Sequence, residues 1–587
     1  MKTNDINIIK LMEGIQAGKI QLPDFQRGWV WDDNRIKALI ASITSSFPIG
    51  AVMFLSYGNP KVRFQCRMIE GAPDLKVEPE DLILDGQQRL TAIYAAMYSK
   101  NSVKTKNERG KEIDCYYYMD IEKALNPSFE RIDAIISVPK DKIITSNFGR
   151  RVDLDLRTPE DEYRQKLFPL NIIFSNSEIR QWQRGYDRFY INDAIAQDNY
   201  TKFGAEILAK LLQYQIPVIA MEKETPIEAI CQVFENVNTG GVSLTVFELV
   251  TATFAMNDFH LREDWNMRRE KFLSGDILNV LTSTDFLTAC TLLASYKRGG
   301  IVSCKRKDVL DLNLSEYMAC VEELTAGFIE AEKFLNAERI FSSKNLPYSA
   351  QLIPLSVLLT LMADKNNSAF REKLRQWYWC GVFGEKYGGT GESVYVDDVT
   401  EFMTWMEYPD DPPKTIKNFS FNPMRLKDLQ TRNSAAYKGF MALILKNSAR
   451  DFISGMRMDL ALYKSEEFDI HHIFPRKHCE RRLYKKLKFD CIINKTPITS
   501  KTNKIIGSKA PKDYLSEIIN KYQVSRPNLS GYLASHWINI DLLFEEEFNE
   551  FIAARAGLLL DAVEKVTGKK ILGRDSDEVK NFFGRAI

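Results

Sequence analysis

Phe468-Asp469-Ile470-His471-His472-Ile473-Phe474-Pro475-Arg476-Lys477-His478 is the stretch on which the reading of this chain turns. The protein has five histidines, and three of them stand here. A lone histidine is ordinarily a satisfied polar group inside a fold. Here two arrive together at the end of a short strand-like run, Phe468-Asp469-Ile470, and Pro475 breaks the chain's course just beyond them. Adjacent residues of a strand point to opposite faces, so His471 and His472 cannot do the same job.

The surroundings support chemistry on phosphates. Asn494 and Asn503 come later, nine residues apart, with Lys504 beside the second. Between His471 and Lys512 twelve Lys and Arg face two acids, Glu480 and Asp490, so this window carries +10 and the rest of the chain −9. A basic stretch is usually a solvated face, but one that surrounds a histidine cluster in a protein of net charge +1 suits nucleic-acid phosphates. A closed zinc site of His472, His478, Cys479 and Cys491 is the competing reading, although it lacks a paired spacing.

These pieces resemble the HNH, or ββα-metal, nuclease motif. The resemblance implies that His472 is the general base and His471 a metal ligand. It implies that Asn503 is a second ligand and that Asn494 fixes the loop and the His472 ring. Lys504 joins the catalytic candidates through its place beside Asn503. The ion would be Mg²⁺, or Mn²⁺ or another divalent cation. An acid is commoner in this family where His471 stands, which makes the site less selective for Mg²⁺.

A second candidate site lies near the start of the chain. Leu82-Ile83-Leu84-Asp85-Gly86-Gln87-Gln88-Arg89 puts a glycine turn between a buried strand and a helix, where backbone N–H groups and Arg89 can meet a phosphate. Such turns are common, and this one is neither a P-loop nor a dinucleotide fingerprint. Two further segments accompany it. Leu22-Pro23-Asp24-Phe25-Gln26-Arg27, with Trp29 and Trp31, precedes a helix marked by Ile36, Leu39, Ile40 and Ile43, and Phe47-Pro48-Ile49-Gly50 comes after that helix. Phe234-Glu235-Asn236-Val237-Asn238-Thr239-Gly240-Gly241 lies after a helix start signalled by Thr225, Pro226 and Glu228.

Together these segments resemble the ParB-related nucleotide domain of the GmrSD family of type IV, modification-dependent restriction enzymes. The C-terminal HNH unit resembles that family's nuclease half, here fused in one chain as in BREX-associated members. The resemblance implies that Asp85, Gly86, Gln87, Gln88 and Arg89 form a nucleoside triphosphate site (ATP, GTP, UTP or CTP), closed by Gln26 and Arg27. It implies hydrolysis of that nucleotide, which gates a nuclease acting on double-stranded phage DNA with hydroxymethylated or glucosylated cytosine. A single HNH site cuts one strand, so a homodimer is expected. The same architecture sensing phosphorothioated DNA, or nicking, remains open, as does a non-catalytic ParB-like DNA-binding regulator.

The expected class is therefore α+β. A mixed α/β N-terminal domain (1–250) leads to a helical middle (251–408) and, after the Pro-rich segment 408–414, a C-terminal nuclease domain with flanking helices (415–587). Apolar residues make up 45% of the chain and charged residues 27%, which excludes a largely disordered or coiled-coil protein. Nine scattered cysteines without C-x-x-C read as reduced, buried thiols. MKTNDINIIK has no secretory pattern, and no apolar run reaches the ~18 residues of a membrane span. A soluble, cytoplasmic protein without a membrane partner is expected. Arg375-Gln376-Trp377-Tyr378-Trp379, with Phe383 and Tyr387, is the densest aromatic patch and reads as core ahead of a pocket for a flipped base. Trp29 and Trp31 carry the same two readings.

Overall fold

Two short apolar runs, Val52–Ser56 and Asp81–Asp85, are buried on both faces, which is why they read as unbroken hydrophobic stretches and not as alternating ones. They pair antiparallel at the centre of a six-stranded sheet in a computed structural model of the chain. The structure describes residues 2–587 except 25, 27, 60–62, 109, 147–150, 227–228, 231–232, 234–244, 363–366, 390 and 467. Helices hold 54% of the residues and strands 13%, an α+β protein. It divides into two compact units, Met1–His260 and Leu261–Ile587.

In the first unit the sheet runs Lys2–Asn7, Gln215–Met221, Val52–Ser56, Asp81–Asp85, Ile20–Pro23, Cys66–Arg67 from edge to edge. Gln215–Met221 joins parallel to Val52–Ser56, so the last strand of the unit returns next to its centre. Helix Asp33–Thr44 buries Ile36, Leu39, Ile40 and Ile43, the face its periodicity announces, and Asp32 caps it by accepting from Arg35 N at 2.9 Å. A second sheet, not legible from periodicity, forms around Glu112–Asp120, with Val103–Lys106, Ile135–Pro139 and Leu167–Pro169 antiparallel to it. Helix Val246–Phe254 begins at Thr245, but the Thr245 side chain makes no capping bond.

The second unit is mainly helical. Leu352–Leu361 is apolar on all sides because it is enclosed, packing against Ser283–Arg298, Leu314–Ala337 and Ser393–Glu407. The aromatic patch is core: Trp377, Tyr378 and Trp379 are all fully buried. Trp379 is tied to the buried carboxylate of Glu338, which takes hydrogen bonds from Trp379 Nε1 (2.8 Å), Arg375 Nε (2.9 Å) and Lys446. Burial opposes its charge, but Lys446, Arg375 and Trp379 outweigh that and hold the carboxyl below its usual range. The Pro-rich segment 408–414 lies within this unit and folds back on the preceding helix, with Trp405 Nε1 donating to Pro409 O at 2.9 Å. No helix among the described residues is long and apolar enough to cross a membrane.

The helix Phe548–Thr567 ties the unit together. At one end Thr567 O accepts from Gln376 Nε2 at 2.8 Å. In the middle, fully buried Arg555 donates to Lys495 O (2.9 Å), Ile493 O and His536 O (3.2 Å). His536, also fully buried, shares a hydrogen bond with Thr496 Oγ1 through Nδ1 (2.7 Å) and donates from Nε2 to Arg450 O (2.9 Å). Burial accordingly lowers the His536 pKa from 6.5 to about 4. The folded state binds this proton less readily than the unfolded chain. The stability His536 contributes is therefore complete above pH 6.5 and drains away as the pH falls towards about 4. In thermal melts across that window, His536→Gln should lose less stability on acidification than the parent, even if its neutral-pH midpoint is lower.

Candidate active site

Phe468–His472 pairs antiparallel with Lys495–Thr499, with His471 opposite Thr496 and His472 opposite Lys495, and helix Ser500–Ile506 comes directly after. The strand's alternation separates the histidines. Asp469 and His471 face the helix, where Asn503 Oδ1 accepts from His471 Nδ1 (3.0 Å) and Asn503 Nδ2 donates to Asp469 Oδ2 (3.1 Å). With the proton on Nδ1, the lone pair lies on Nε2, which is buried without a hydrogen-bond partner. Burial brings the His471 pKa down to about 4, so the ring is neutral.

His472 faces the other way. Its Nε2 donates to Asp490 Oδ1 at 3.1 Å, and Lys495 Nζ lies 3.0 Å from the same oxygen. Burial lowers the His472 pKa, and the bond to Asp490 only partly offsets it, so the imidazole is neutral with its basic lone pair on Nδ1. Burial works against the Asp490 charge too, but Lys495 and His472 outweigh it and the carboxyl stays below its usual range.

The frame under both histidines is polar and satisfied. Asn494, fully buried, accepts from Phe474 N (2.8 Å) and donates to Phe474 O and Phe489 O (both 2.9 Å), while its own carbonyl takes Ile473 N at 2.9 Å. It thus binds the loop directly after His472, whose ring is held by Asp490 instead. Asp451 holds the start of the Asn503 helix, accepting from Thr499 N (3.1 Å), Thr499 Oγ1 (2.8 Å) and Thr502 Oγ1 (2.7 Å). Lys504 is exposed on that helix and bonds none of these residues.

Asp490, Asp469, Lys495 and Asp451 belong to this arrangement without having been singled out from the sequence. Asp490 did leave a signal, as one of two acids in the +10 window. The closed zinc reading is not supported. Among the described residues no group of three or more His, Cys, Asp or Glu side chains could hold a metal, and the Cys479 and Cys491 thiols point at Phe474 O (3.4 Å) and Lys488 O (3.2 Å). His471 Nε2 is left as an unpartnered lone pair, while its Nδ1, Asn503 and Asp469 are joined by hydrogen bonds on the other side of the ring.

In the first unit the DGQQR turn is built on two glycines. Gly86 caps helix Gln87–Ile93 at φ +91°, and a Cβ there would lie 2.4 Å from Val52 Cγ1. Gly50, at φ +84°, leaves room for Arg89 Nη1, which a Cβ would meet at 2.6 Å. Arg89 spans Ile49 O (2.7 Å) and Asp85 Oδ2 (2.9 Å), closing the strand end onto the 47–50 turn. Gln88 donates to Gly28 O (3.2 Å) and accepts from Val30 N (3.1 Å), while Gln26 Nε2 donates to Ile83 O (2.6 Å) and Leu84 O (3.1 Å). Gln26 Oε1 is buried without a partner. Gln87 is buried at the first position of the helix. Arg27, Glu228 and the 234–244 segment lie outside the described residues.

Residues 8–255 match the GmrSD restriction endonuclease N-terminal domain. The match lies within the first unit. A relative in Methanocaldococcus jannaschii, Uncharacterized protein MJ0686, is 27% identical over 601 residues, covering 95% of this chain and 98% of its own. The likeness therefore extends through the second unit as well as the first.

Two substitutions probe these arrangements. Asn494→Ala strands the Phe474 N–H in a buried loop and removes two further bonds, so the urea midpoint should fall by the equivalent of about 2–4 kcal/mol. Gly86→Ala forces a positive φ and a clash with Val52 and should cost about 1–3 kcal/mol by the same titration. A midpoint within error of the parent would contradict either account.

Proposed function

We propose that this protein is a divalent-metal-dependent DNA endonuclease, controlled by a nucleoside triphosphate, that cuts phage DNA carrying hydroxymethylated or glucosylated cytosine. The observation that carries the reading is the division of labour across one strand: a neutral His471 with a free Nε2 beside Asn503, and a neutral, half-buried His472 held by Asp490. The hairpin followed directly by the Asn503 helix matches the strand–strand–helix order of ββα-metal nucleases. The match of residues 8–255 to a restriction endonuclease domain supports the biological role.

In this mechanism His472 takes a proton from the attacking water on Nδ1. Asp490, bonded to Nε2–H, then stabilises the imidazolium, and Lys495 keeps Asp490 ionised. The divalent ion would be held by His471 and by Asn503, whose Oδ1 would turn from His471 Nδ1 to the ion. When bound, that ion supplies stabilisation for the charge developing on the phosphate and leaving oxygen. Asn494 is a positioning residue, since it shapes the loop that presents His472. The basic window around the hairpin binds the phosphate backbone.

For the first unit we propose that the triphosphate lies over the turn Asp85-Gly86-Gln87-Gln88-Arg89, with Gln26 and Arg27 closing it. Gln26 Oε1, buried and unpartnered, supports a ligand here. Its binding gates cutting in the second unit, and two chains supply the two strand cuts.

The test mixes full-length protein with plain-cytosine and hydroxymethylcytosine phage DNA, with Mg²⁺ or Mn²⁺, with and without each triphosphate. Modified DNA alone should be cut, and His472→Ala should slow cutting by at least about a hundredfold, the usual contribution of a general base. Equal cutting of both DNAs would remove the modification from the proposal. No cutting with any metal would remove the nuclease.

A further inference from the structure

Next to the hairpin, on the side of Ile470 and Pro497, the second unit holds a cavity of about 750 Å³. Pockets that enclose small molecules run from ~300 to ~1,000 Å³. One wall is aromatic, with Tyr463 at 5.3 Å from the ring of Phe341 and 5.3 Å from that of Phe468. Tyr437 contributes a further ring. Arg339, Lys344 and Arg432 bring positive charge, and among the described residues no carboxylate pairs with any of the three. Among the described residues the one acid in its lining is Asp469, whose carboxylate turns from the Ile470 face to accept from Asn503 Nδ2 at 3.1 Å.

A short polar chain links this cavity to the proposed base. Lys495 Nζ lies 5.9 Å from the Tyr437 ring centroid and 3.0 Å from Asp490 Oδ1, which is 3.1 Å from His472 Nε2. Rings interleaved with unpaired cations are how proteins hold single nucleotides: the base stacks and the backbone is neutralised. Inside a duplex the base faces are covered, so only a base turned out of the stack reaches such a wall.

We propose that this cavity takes one extruded nucleotide of the bound DNA, its base against Tyr463 and its phosphates on Arg339, Lys344 and Arg432. The volume leaves room for a substituent on the base, which makes this the place where a modification is read. The proposal rests on the nuclease reading above and adds the position of substrate recognition, which the aromatic core around Trp377 does not provide.

The experiment measures binding of the full-length His472→Ala protein, in which no strand is cut, to two labelled duplexes differing only in a single bulged cytidine. The bulged duplex should bind about five- to 150-fold tighter, the worth of one stacked base. Tyr463→Leu and Arg432→Ala should each remove most of that preference. Arg432 is exposed, so its variant tests the idea even if a melt shows Tyr463→Leu to be unfolded. No preference for the bulge, or an intact preference in both variants, overturns the proposal. So does Arg432-dependent binding of free deoxycytidine triphosphate with no gain from the bulge, which would make the cavity a free-nucleotide site. Failure here with phage DNA still cut by the wild type removes only the pocket. Absence of cutting by the wild type removes the nuclease reading, whatever the bulge does.

Discussion

Neighbouring side chains on a strand must leave its two faces, and at His471 and His472 this rule divides two kinds of chemistry that would interfere if they shared a space. One imidazole is buried against a helix and keeps an unpartnered lone pair. The other leans on a carboxylate and remains half-buried. A one-residue slip in the pairing with Lys495–Thr499 would exchange the two environments, so the register must be held firmly. Asn494 and Asp451 do this from opposite ends, the first through the loop after His472 and the second through Thr499 and Thr502. Arg555 adds bonds to the backbone of Ile493 and Lys495 from the far side.

The same region shows how a strongly basic window can fold. Its few acids turn inward or pair locally: Asp490 to His472 and Lys495, Glu480 to Arg476. Most of the remaining cations stay at the surface, where they favour a polyanion. Farther away, Glu338 uses opposite logic, gathering Arg375, Lys446 and Trp379 around one buried carboxylate so that charge can exist inside an apolar helical core. Positive charge is spread outward at the hairpin and concentrated inward in the helices.

In the first unit, Gly50 and Gly86 let three segments meet without side-chain clashes, and Arg89 locks them. The Arg89 guanidinium is therefore the structural tie between Asp85 and the 47–50 turn. A ligand at this turn would have to work with that bond or replace it.

Local pattern was enough for much of this protein. The helix at Asp33–Thr44, the strands at Val52–Ser56, Asp81–Asp85 and Gln215–Met221, and the buried Trp377 patch all arise from apolar spacing, because burial repeats with the period of the element. The histidine cluster and its charge were legible for a similar reason, since neighbours in sequence are neighbours on one strand. What sequence could not supply were partners that lie far along the chain. Asp451 meets Thr499 across 48 positions, Arg555 meets Lys495 across 60, and the cavity wall brings Phe341 to Tyr463. No periodicity encodes such pairs. They exist because the helices of the second unit pack as they do, and that packing decided what holds the ends of the hairpin.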